Sequence, residues 1–581
     1  SIILQRQIND RKIWMEDGYD LDFLGDMSIH HKKNFGTVLY NVHSSLPYIT
    51  SGYTVRSRGI VHALSQSGMK VVVNSRWGFP LDRSDFGCNE DVPDSIRFEG
   101  VEYRFSPDIE GMSKHKMEEY VQLAAQSILS KALEYGPAII HACSDHTIGL
   151  ASAMVARALS IPFVYEMRGV WAYSRAANNP NFSNDPRYSL MIRLERQCAM
   201  AADSILVISE ALKMEVESWG IDPSKISILP NCVSELPVQS GYSNKEKSES
   251  SDEKLKLGYL GSIVPYEGLD DLVRAISLLT KMEREEVNVS IAGGGKSEEE
   301  IKKMATVLGV EENFQFIGRI PQENISSFYE SIDLVVLPRK GYKVCNLIPP
   351  LKPIEAMAYS KTVMMSDVDV AKELQNESQC GFLFERDNPE SLAEQIRELI
   401  GQQMIIEHQG EKGRRWVSEN RIWAEATKSL IERYASFEID KANSGTYAEV
   451  EKTMEATRHY SRCLKISNRE LLTKILVSIP GSEHRTGRNI FTSSIRGLSK
   501  IDNLEAVRLF EEFFPLFGDQ RSLRTGVTIY NRAKRFDESL GLISGITESK
   551  WKEEMLEFLE GRVGIRGFEL EEGKRSANMI E

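Results

Sequence analysis

Residues 337–367 read LPRKGYKVCNLIPPLKPIEAMAYSKTVMMSD, a pattern that predicts a strand, a long loop, a helix carrying Glu355 and a further strand. Prolines rigidify the start of that helix, and Arg339, Lys340 and Lys352 place positive charge around it. A helix N-terminus with adjacent cations suits a diphosphate group. The stretch therefore predicts an α/β domain that binds a diphosphate through Arg339 and Lys352.

The same alternation of short apolar runs and helical patterns extends from this stretch in both directions. In the first half of the chain, buried strands are predicted at TVLYNVH (37–43), KVVVNS (70–75), AIIHAC (138–143), FVYEM (163–167) and SILVIS (204–209). In the second half, they are predicted at KLGYLGSI (256–263), VNVSIAGGG (287–295), FQFIG (314–318), LVVLPR (334–339), TVMMSD (362–367) and GFLFE (381–385). Helical patterns separate the strands, so we expect two doubly wound parallel sheets.

Composition divides the chain into regions of different character. They are a polar N-terminal extension (1–34), a first α/β domain (35–240), a polar linker (241–254), a second α/β domain (255–438) and an all-α module (439–581). The second α/β domain ends in a helix predicted at 415–437, whose Trp416 and Trp423 are expected to pack back on the first domain. Residues 530–543 resemble the turn between two helices of a tetratricopeptide-type repeat. Because such modules present binding surfaces, we expect residues 440–581 to bind a protein partner or a second copy of the chain.

The overall composition excludes several classes of function. The net charge of −13 argues against a nucleic-acid partner, because phosphate binding needs a concentrated basic surface. Cysteines are dispersed without a CxxC pair, as in reduced cytoplasmic proteins, and no cluster has the spacing of zinc ligands. No apolar run reaches the roughly 20 residues that span a bilayer, and the first residues lack the features of a signal peptide. We expect a cytoplasmic protein that uses no metal, and contact with the inner face of the cell membrane stays open.

Candidate ligand contacts of the first domain follow its predicted strands, because open parallel sheets bind ligands at the carboxyl ends of their strands. Gly52 opens the helix after the first strand, where backbone amides can approach a phosphate or a sugar. The candidates for acceptor binding are Arg56, His141, Glu166 and Arg168. His146 is a candidate for a catalytic contact. A structural alternative stays open for each of these side chains, since the glutamate and the arginine can satisfy one another and a lone histidine is equally a core residue.

Glycine turns follow the predicted strands of the second domain. Gly261 and Ser262 lie directly before a helix, and Gly318 and Arg319 end the third strand of this half. The stretch IAGGGKSEEE (291–300) places further glycines after the second strand. Because glycine lets the backbone pass close to a ligand, these turns are candidates for binding a donor substrate.

Taken together, these motifs resemble the retaining glycosyltransferases of family 4, also called glycosyltransferase group 1, over roughly residues 36–435. The resemblance rests on PPLKPIEAMAYSKTVMMSD (349–367), LGSIVPYEGLDDL (260–272), AGGGKSEEEIKKMATVLGVEENFQFIGRIP (292–321), ADSILVISEALK (202–213) and ILPNCV (228–233). It implies the GT-B fold, in which two Rossmann-like domains face each other across a cleft that binds a nucleotide-sugar.

The resemblance also implies roles for single residues in donor binding. Glu355 matches the second glutamate of the family's Glu-x7-Glu motif and is expected to bind the ribose hydroxyls, since a carboxylate accepts both hydrogen bonds of a diol. Gly318 and Arg319 match the segment whose backbone contacts the base. The first motif glutamate, which touches the donor sugar, falls at Leu347, so the backbone amides of Leu347 to Leu351 are expected to replace it.

Two further departures from the family concern charge. Ser262 and Glu267 stand where relatives carry an arginine and a lysine, so the resemblance leaves Arg339 and Lys352 to neutralise the diphosphate. The histidine that many relatives carry in the first domain has no secure counterpart, and His141, His146 and the segment YEMRG (165–169) all stay open for that position.

The resemblance implies transfer of a sugar, with retention of anomeric configuration, from a nucleoside diphosphate to a hydroxyl of a glycan or lipid-linked acceptor. We expect such an activity to serve the synthesis of cell-surface polysaccharide or glycoconjugate. The departing phosphate oxygen can deprotonate the acceptor, so no protein base and no metal are required. Two alternatives stay open, a catalytically weak binding or scaffold protein with the same fold and a nucleotide-sugar epimerase.

Overall fold

The computed structural model describes residues 18–83, 86, 91–108, 115–237, 254–440, 456 and 459–465. The chain divides into two compact units, Ser1–Lys428 and Ser429–Glu581, and both sheets belong to the first. Nearly all of the predicted linker and of the predicted helical module lies outside the described residues, as does half of the N-terminal extension. These regions, and the partner binding expected of the module, stay predictions.

The first sheet has eight strands in the order β3-β4-β2-β1-β5-β6-β7-β8. The strands are β1 (Asn34–Val42), β2 (Lys70–Ser75), β3 (Ser95–Phe98), β4 (Val101–Arg104), β5 (Pro137–Cys143), β6 (Phe163–Met167), β7 (Ser204–Val207) and β8 (Ile226–Ile228). All neighbours pair in parallel except β3 and β4, which form an antiparallel hairpin. Each strand predicted for this domain is present, and β3, β4 and β8 are additional.

Among the described residues of this domain, six α-helices connect the strands, and side chains cap several of them. They are α1 (Gly52–Gln66), α2 (Met117–Tyr135), α3 (His146–Leu159), α4 (Trp171–Asn178), α5 (Pro186–Ala201) and α6 (Glu210–Ser218). The start of α1 is fixed by a capping box, in which Ser51 and Thr54 each bond the other's backbone N–H. The carboxylate of Asp145 accepts from the N–H of Thr147 and fixes the start of α3. Only two residues therefore separate α3 from the end of β5 at the carboxyl edge of the sheet, whereas a longer loop leads from β1 to α1.

The second sheet has six parallel strands in the order β11-β10-β9-β12-β13-β14. The strands are β9 (Leu255–Ser262), β10 (Val287–Gly294), β11 (Phe314–Gly318), β12 (Leu334–Leu337), β13 (Thr362–Ser366) and β14 (Phe382–Phe384). Its helices are α7 (Leu269–Ser277), α8 (Lys281–Glu285), α9 (Glu298–Val307), α10 (Ile325–Glu330), α11 (Lys343–Leu347), α12 (Lys352–Ala358), α13 (Asp369–Ser378), α14 (Pro389–Leu399), α15 (Gln403–Asn420) and α16 (Trp423–Asp440). The two doubly wound parallel sheets predicted from the alternation are confirmed. Among the described residues, no helix is both long and apolar enough to cross a membrane.

The single helix predicted at 415–437 is wrong, because the chain forms two helices there. The N–H of Val233 in the first domain bonds the carbonyl of Arg421 at 2.9 Å, and the N–H of Trp423 bonds the carbonyl of Val233 at 3.0 Å. These bonds take up the backbone groups that a continuous helix would need. Trp423 is buried, and its ring lies 5.1 Å from the guanidinium of Arg56 in the first domain. Trp416 lies on α15, half-buried.

A close contact at Gly59 makes this crossing testable. A Cβ atom at Gly59 would lie 2.1 Å from Nε1 of Trp423, although an alanine normally stabilises a helix interior by about 1 kcal/mol relative to glycine. Overpacking costs about 1–3 kcal/mol, so we expect Gly59→Ala to lower the free energy of unfolding. Denaturant unfolding checks this, with Gly59→Ala in a Trp423→Phe background as the control that should lose less. A stabilising Gly59→Ala substitution would contradict the contact.

Candidate functional site

The glycine turns of the second domain lie side by side. Gly261 at the end of β9 pairs with Gly293 on β10, and Gly318 ends β11 beside Ala292. A Cβ atom at Gly293 would lie 1.8 Å from the carbonyl oxygen of Gly261, so the two backbones need glycine to approach this closely. A Cβ atom at Gly318 would meet no atom within 4 Å, and its φ of 78° is in the left-handed region. The edge therefore combines a tight backbone turn with open space beside it.

The other two turn candidates lie at the same edge. Ser262 is exposed, and its carbonyl accepts a hydrogen bond of 2.7 Å from the hydroxyl of Tyr259. Arg319 is also exposed, and its Nε lies 3.6 Å from the position that a Cβ atom of Gly294 would take. The structure thus brings Gly261, Ser262, Gly318 and Arg319 together, as the sequence predicts.

Lys352 lies against this edge, but its charge is already paired. Its Nζ donates to the carboxylate of Glu267 at 2.6 Å and to the hydroxyl of Tyr259 at 2.8 Å. Its Cε is 2.3 Å from the position that a Cβ atom of Gly261 would take, so the lysine rests directly on the glycine turn. Glu267 was not among the predicted site residues. Its place where relatives carry a lysine, together with the lysine at position 352, was a signal that the two residues form an ion pair.

Arg339 shares the same carboxylate from the end of β12. Its Nε lies 3.6 Å from Oε1 of Glu267, and its Nη1 donates to the carbonyl of Ile348 at 2.7 Å. The side chain is 5% exposed and lines a cavity of about 830 Å³ together with Pro349 and Pro353. Arg339 therefore holds the loop before α12 and Glu267 in place, and its direct contact with a phosphate stays a prediction.

The protonation of the cluster of Glu267, Lys352 and Arg339 follows from these contacts. Although burial opposes ionisation, Lys352 and Arg339 hold the pKa of Glu267 below its usual value. Burial lowers the pKa of Lys352, against the opposing effect of Glu267. One carboxylate between two cations leaves the cluster with a net positive charge, which suits an anionic ligand.

Glu355 lies in the first turn of α12 and is half-buried. Among the described residues, its carboxylate has no hydrogen-bond partner. Burial raises its pKa, against the opposing charge of Lys352, so the carboxylate is partly desolvated. An unpaired, partly buried carboxylate is costly to a fold and is typical of a ligand contact.

The loop between α11 and α12 is held from the first domain through its carbonyl groups. The hydroxyl of Ser209 donates to the carbonyl of Leu347 at 2.7 Å, and the side-chain amide of Asn231 donates to the carbonyl of Pro349 at 2.9 Å. Cδ1 of Leu351 lies 3.4 Å from the position that a Cβ atom of Gly52 would take. Gly52, Leu347 and Leu351, which the sequence predicts as donor contacts, therefore lie around one loop.

The predicted acceptor contacts form a closed interior network. Glu166 has no exposed surface and accepts from Nε of Arg56 at 2.7 Å and from Nε and Nη2 of Arg168 at 3.0 Å. Nε2 of His141 lies 3.2 Å from the same carboxylate. Arg56 also donates to the carbonyls of Leu229 and Pro230. We therefore revise these four side chains from acceptor contacts to an internal brace of the first domain.

Charge explains why this brace is stable. Although burial opposes ionisation, Arg168 and Arg56 hold the pKa of Glu166 well below its usual value, while burial lowers the pKa of His141. His141, Cys143 and Glu166 offer potential metal-ligand atoms within 4.8 Å of one another. Nη2 of Arg168 bonds the Cys143 sulfur and the Glu166 carboxylate at 3.0 Å each, so a guanidinium takes the place of a cation and the group does not fit a metal.

His146 is buried at the start of α3, where its Nδ1 lies 3.6 Å from Oε1 of Glu195. Although burial opposes the charged ring, Glu195 and Asp145 raise the pKa of His146. The side chain is 4% exposed and lies in the interior beside Glu195. We therefore revise its predicted role from a catalytic contact to an interior residue.

A different histidine, which was not among the predicted site residues, lies at the carboxyl edge of the first sheet. His43 directly follows β1, is half-buried, and contacts Trp171 edge to face with ring centroids 4.7 Å apart. Burial lowers its pKa to about 4, against the opposing charge of Asp145, so the ring is neutral at neutral pH. Its position as the last residue of the predicted strand TVLYNVH was the signal that could have identified it.

Comparison with known families agrees with this architecture. Residues 51–232 match the glycosyl transferase 4-like domain, and residues 242–417 match the glycosyl transferases group 1 family. An uncharacterized glycosyltransferase of Methanocaldococcus jannaschii is 22% identical over 400 residues, which cover 67% of this chain and 95% of that protein. A second one from the same organism is 23% identical over 39% of this chain, which spans 57% of the relative's length. The capsular polysaccharide biosynthesis glycosyltransferase CapM of Staphylococcus aureus is 24% identical over 41% of this chain and 64% of its own length.

Solved structures share the fold at low identity. Sucrose-phosphate synthase from Thermosynechococcus elongatus is 16% identical and superposes with a TM-score of 0.55, covering 68% of this chain and 98% of its own. HepE of Anabaena in complex with UDP-glucose is also 16% identical, with a TM-score of 0.51 over 69% of this chain and 99% of its own. With two facing parallel-sheet domains, each matched by a glycosyltransferase domain family, the chain contains a glycosyl transferase 4-like domain and a group 1 glycosyltransferase domain and has the GT-B fold.

Proposed function

We propose that the protein transfers a sugar from a nucleoside-diphosphate sugar to a hydroxyl group of a glycan or lipid-linked acceptor, with retention of configuration. The observation that carries the proposal is the carboxylate of Glu355, which is desolvated and without a hydrogen-bond partner among the described residues. It lies beside Lys352, whose chain rests on the glycine turn of β9.

Glu355 is proposed to accept hydrogen bonds from the two ribose hydroxyls. Two O–H donors satisfy both oxygens of a carboxylate, and hydrogen bonds to a charged group each contribute about 1.5–3 kcal/mol. The open space at Gly318, with exposed Arg319 next to it, is proposed to receive the base. HepE, which has the same fold, binds UDP-glucose, so a uridine diphosphate sugar is the first donor to test.

The diphosphate is proposed to bind beside Lys352. When the bond between the anomeric carbon and the phosphate oxygen breaks, negative charge grows on the departing diphosphate, and a preorganised cation stabilises it. Glu267 holds the lysine amine in place before the donor binds, so little reorganisation is needed. Because Glu267 lies between Lys352 and Arg339, the three side chains together carry one net positive charge toward the ligand.

The proposed chemistry needs no base from the protein. The acceptor oxygen forms a bond to the anomeric carbon on the face from which the diphosphate departs, and the acceptor proton passes to the departing phosphate oxygen. The sequence prediction of a metal-independent reaction is kept in this proposal. The name of the relative CapM supports capsular or other cell-surface polysaccharide as the product class.

The test is nucleotide binding by a Glu355→Ala variant. We expect its affinity for UDP, measured by calorimetry, to fall by about 100-fold or more, because two hydrogen bonds to a charged group, each worth about 1.5–3 kcal/mol, are lost. Glu394→Ala is the matched control, since Glu394 is an exposed glutamate on α14. Equal affinity of wild type and Glu355→Ala for every nucleotide tested would refute the ribose assignment. Nucleotide binding without transfer or hydrolysis of any nucleotide sugar would instead identify a binding protein.

A further inference from the structure

A second cavity at the cleft has no role in the proposed donor site or in the proposed chemistry. It has a volume of about 590 Å³ and is built mainly by α4 and the segment after it. Its lining includes Trp171, Arg175, Asn178, Phe182, Arg187 and Lys296. The lysine comes from the glycine turn after β10, so both domains contribute to the cavity.

The lining of this cavity is cationic, with no acidic side chain among its lining residues. Arg175 is exposed, and among the described residues no carboxylate forms an ion pair with it. Nζ of Lys296 donates to the backbone carbonyl of Asn178 at 2.9 Å, which leaves its charge uncompensated. Arg187 is neutralised by Asp185, so Arg175 and Lys296 supply the net charge. Two uncompensated cations from opposite domains favour an anionic group between them.

Aromatic rings complete the cavity on the side of the first domain. Trp171 is half-buried, and its ring contacts His43 at the carboxyl end of β1. Phe182 is buried, and the guanidinium of Arg175 lies 5.9 Å from its ring centre. An indole that lines a cavity offers apolar contact to the C–H face of a sugar ring, while its N–H and the nearby amides suit hydroxyls. The combination of indole and cations is thus suited to a charged saccharide.

We propose that this cavity binds the acceptor, and that the acceptor is an anionic saccharide. A sugar ring stacks on Trp171, and a phosphate or carboxylate attached to it lies between Arg175 and Lys296. The proposal rests on the proposed function, because it assigns the second substrate of the same transfer. It also explains why the predicted acceptor contacts in the interior are closed, since the acceptor is recognised one helix further along the chain.

The test measures saccharide binding in the absence of any donor. The probes are α-glucose 1-phosphate, methyl α-glucuronide and neutral methyl α-glucoside, titrated into the full chain by calorimetry. We expect at least one anionic probe to bind about 10-fold or more tightly than the glucoside, and the difference to shrink as salt is added. The phosphate and the carboxylate probes separate the two sources of charge.

The variants Arg175→Glu and Lys296→Glu are expected to abolish this preference, and Trp171→Ala to weaken all saccharide binding. Arg97→Glu and Lys303→Glu change the net charge equally at exposed positions elsewhere and should bind like wild type. Saturating UDP distinguishes this cavity from the donor site, because the anionic probe should still bind in its presence. Equal binding of charged and neutral probes, no saturable binding of any probe, or loss of binding with UDP would each overturn the proposal. None of these results depends on Glu355, so the donor assignment stands or falls separately.

Discussion

Replacing Glu166 with leucine is expected to lower the free energy of unfolding by about 3–5 kcal/mol, because removing one partner of a buried ion pair leaves uncompensated charge in the interior. Glu166 has no exposed surface, and both Arg56 and Arg168 direct their Nε atoms at it. In the variant, these guanidiniums stay buried with no counter-charge. Urea denaturation of the full chain, followed by tryptophan fluorescence, measures the change.

An exposed ion pair provides the control for this substitution. Arg58 donates to Glu99 with both side chains about a third exposed, so Glu99→Leu should cost no more than about 1 kcal/mol. Glu166→Gln keeps hydrogen-bond acceptors and should fall between the two. The result that would sink the idea is a Glu166→Leu variant as stable as Glu99→Leu.

The same network has a defined dependence on pH. Because the pKa of Glu166 is lowered in the folded state, its contribution to stability is fully present above the carboxyl pKa of the unfolded chain. The contribution is lost as the pH falls through the folded-state value. Stability at neutral pH should therefore be insensitive to small pH changes as far as Glu166 is concerned.

Replacing Lys352 with methionine is expected to lower kcat by about 100-fold to 1,000-fold, since this is the usual effect of removing one preorganised charge contact from a transition state. The variant also leaves the carboxylate of Glu267 beside the diphosphate with only Arg339 to compensate it. Repulsion from that carboxylate should add a rise in KM. Steady-state kinetics with a nucleotide sugar that supports turnover, or its hydrolysis, measures both parameters.

A double substitution separates these two effects. Lys352→Met with Glu267→Gln removes the repulsion together with the lysine, so the double variant should regain part of the lost affinity while kcat stays low. Lys343→Met is the matched control, because this exposed lysine lies in the same loop region and pairs with Glu215. Full activity of Lys352→Met would exclude the lysine from the chemistry.

Patterns of buried β-branched residues were sufficient to predict both sheets. KVVVNS, for example, is the strand Lys70–Ser75 as predicted. The hairpin Ser95–Phe98 and Val101–Arg104 was missed because the first strand has no buried residue and the second buries only every other residue, which dilutes the apolar signal. The apolar pattern of DDLVRAISLLTKM (270–282) predicts one helix, but the chain forms two, because the first ends at Ser277 and Thr280 caps a second that begins at Lys281.

The site was predictable only where one local motif defines a role. Glu355 and the glycine turns come from such motifs, and the structure places them at one edge. The pairing of Lys352 with Glu267 joins residues far apart in sequence, so only the three-dimensional fold shows that the two charges meet. Of the two interpretations that the sequence left open for Glu166 and Arg168, mutual pairing is the one the structure supports, because Arg56 closes the remaining side.

Ser209 and Asn231 donate hydrogen bonds across the cleft to the carbonyl oxygens of Leu347 and Pro349. The segment with these oxygens leads into α12, which carries Lys352 and Glu355. A hinge motion that separates the two sheets has to break both hydrogen bonds, and the segment then loses its contacts with the first domain. Opening of the cleft and loss of the contacts that hold this segment are therefore coupled to one another.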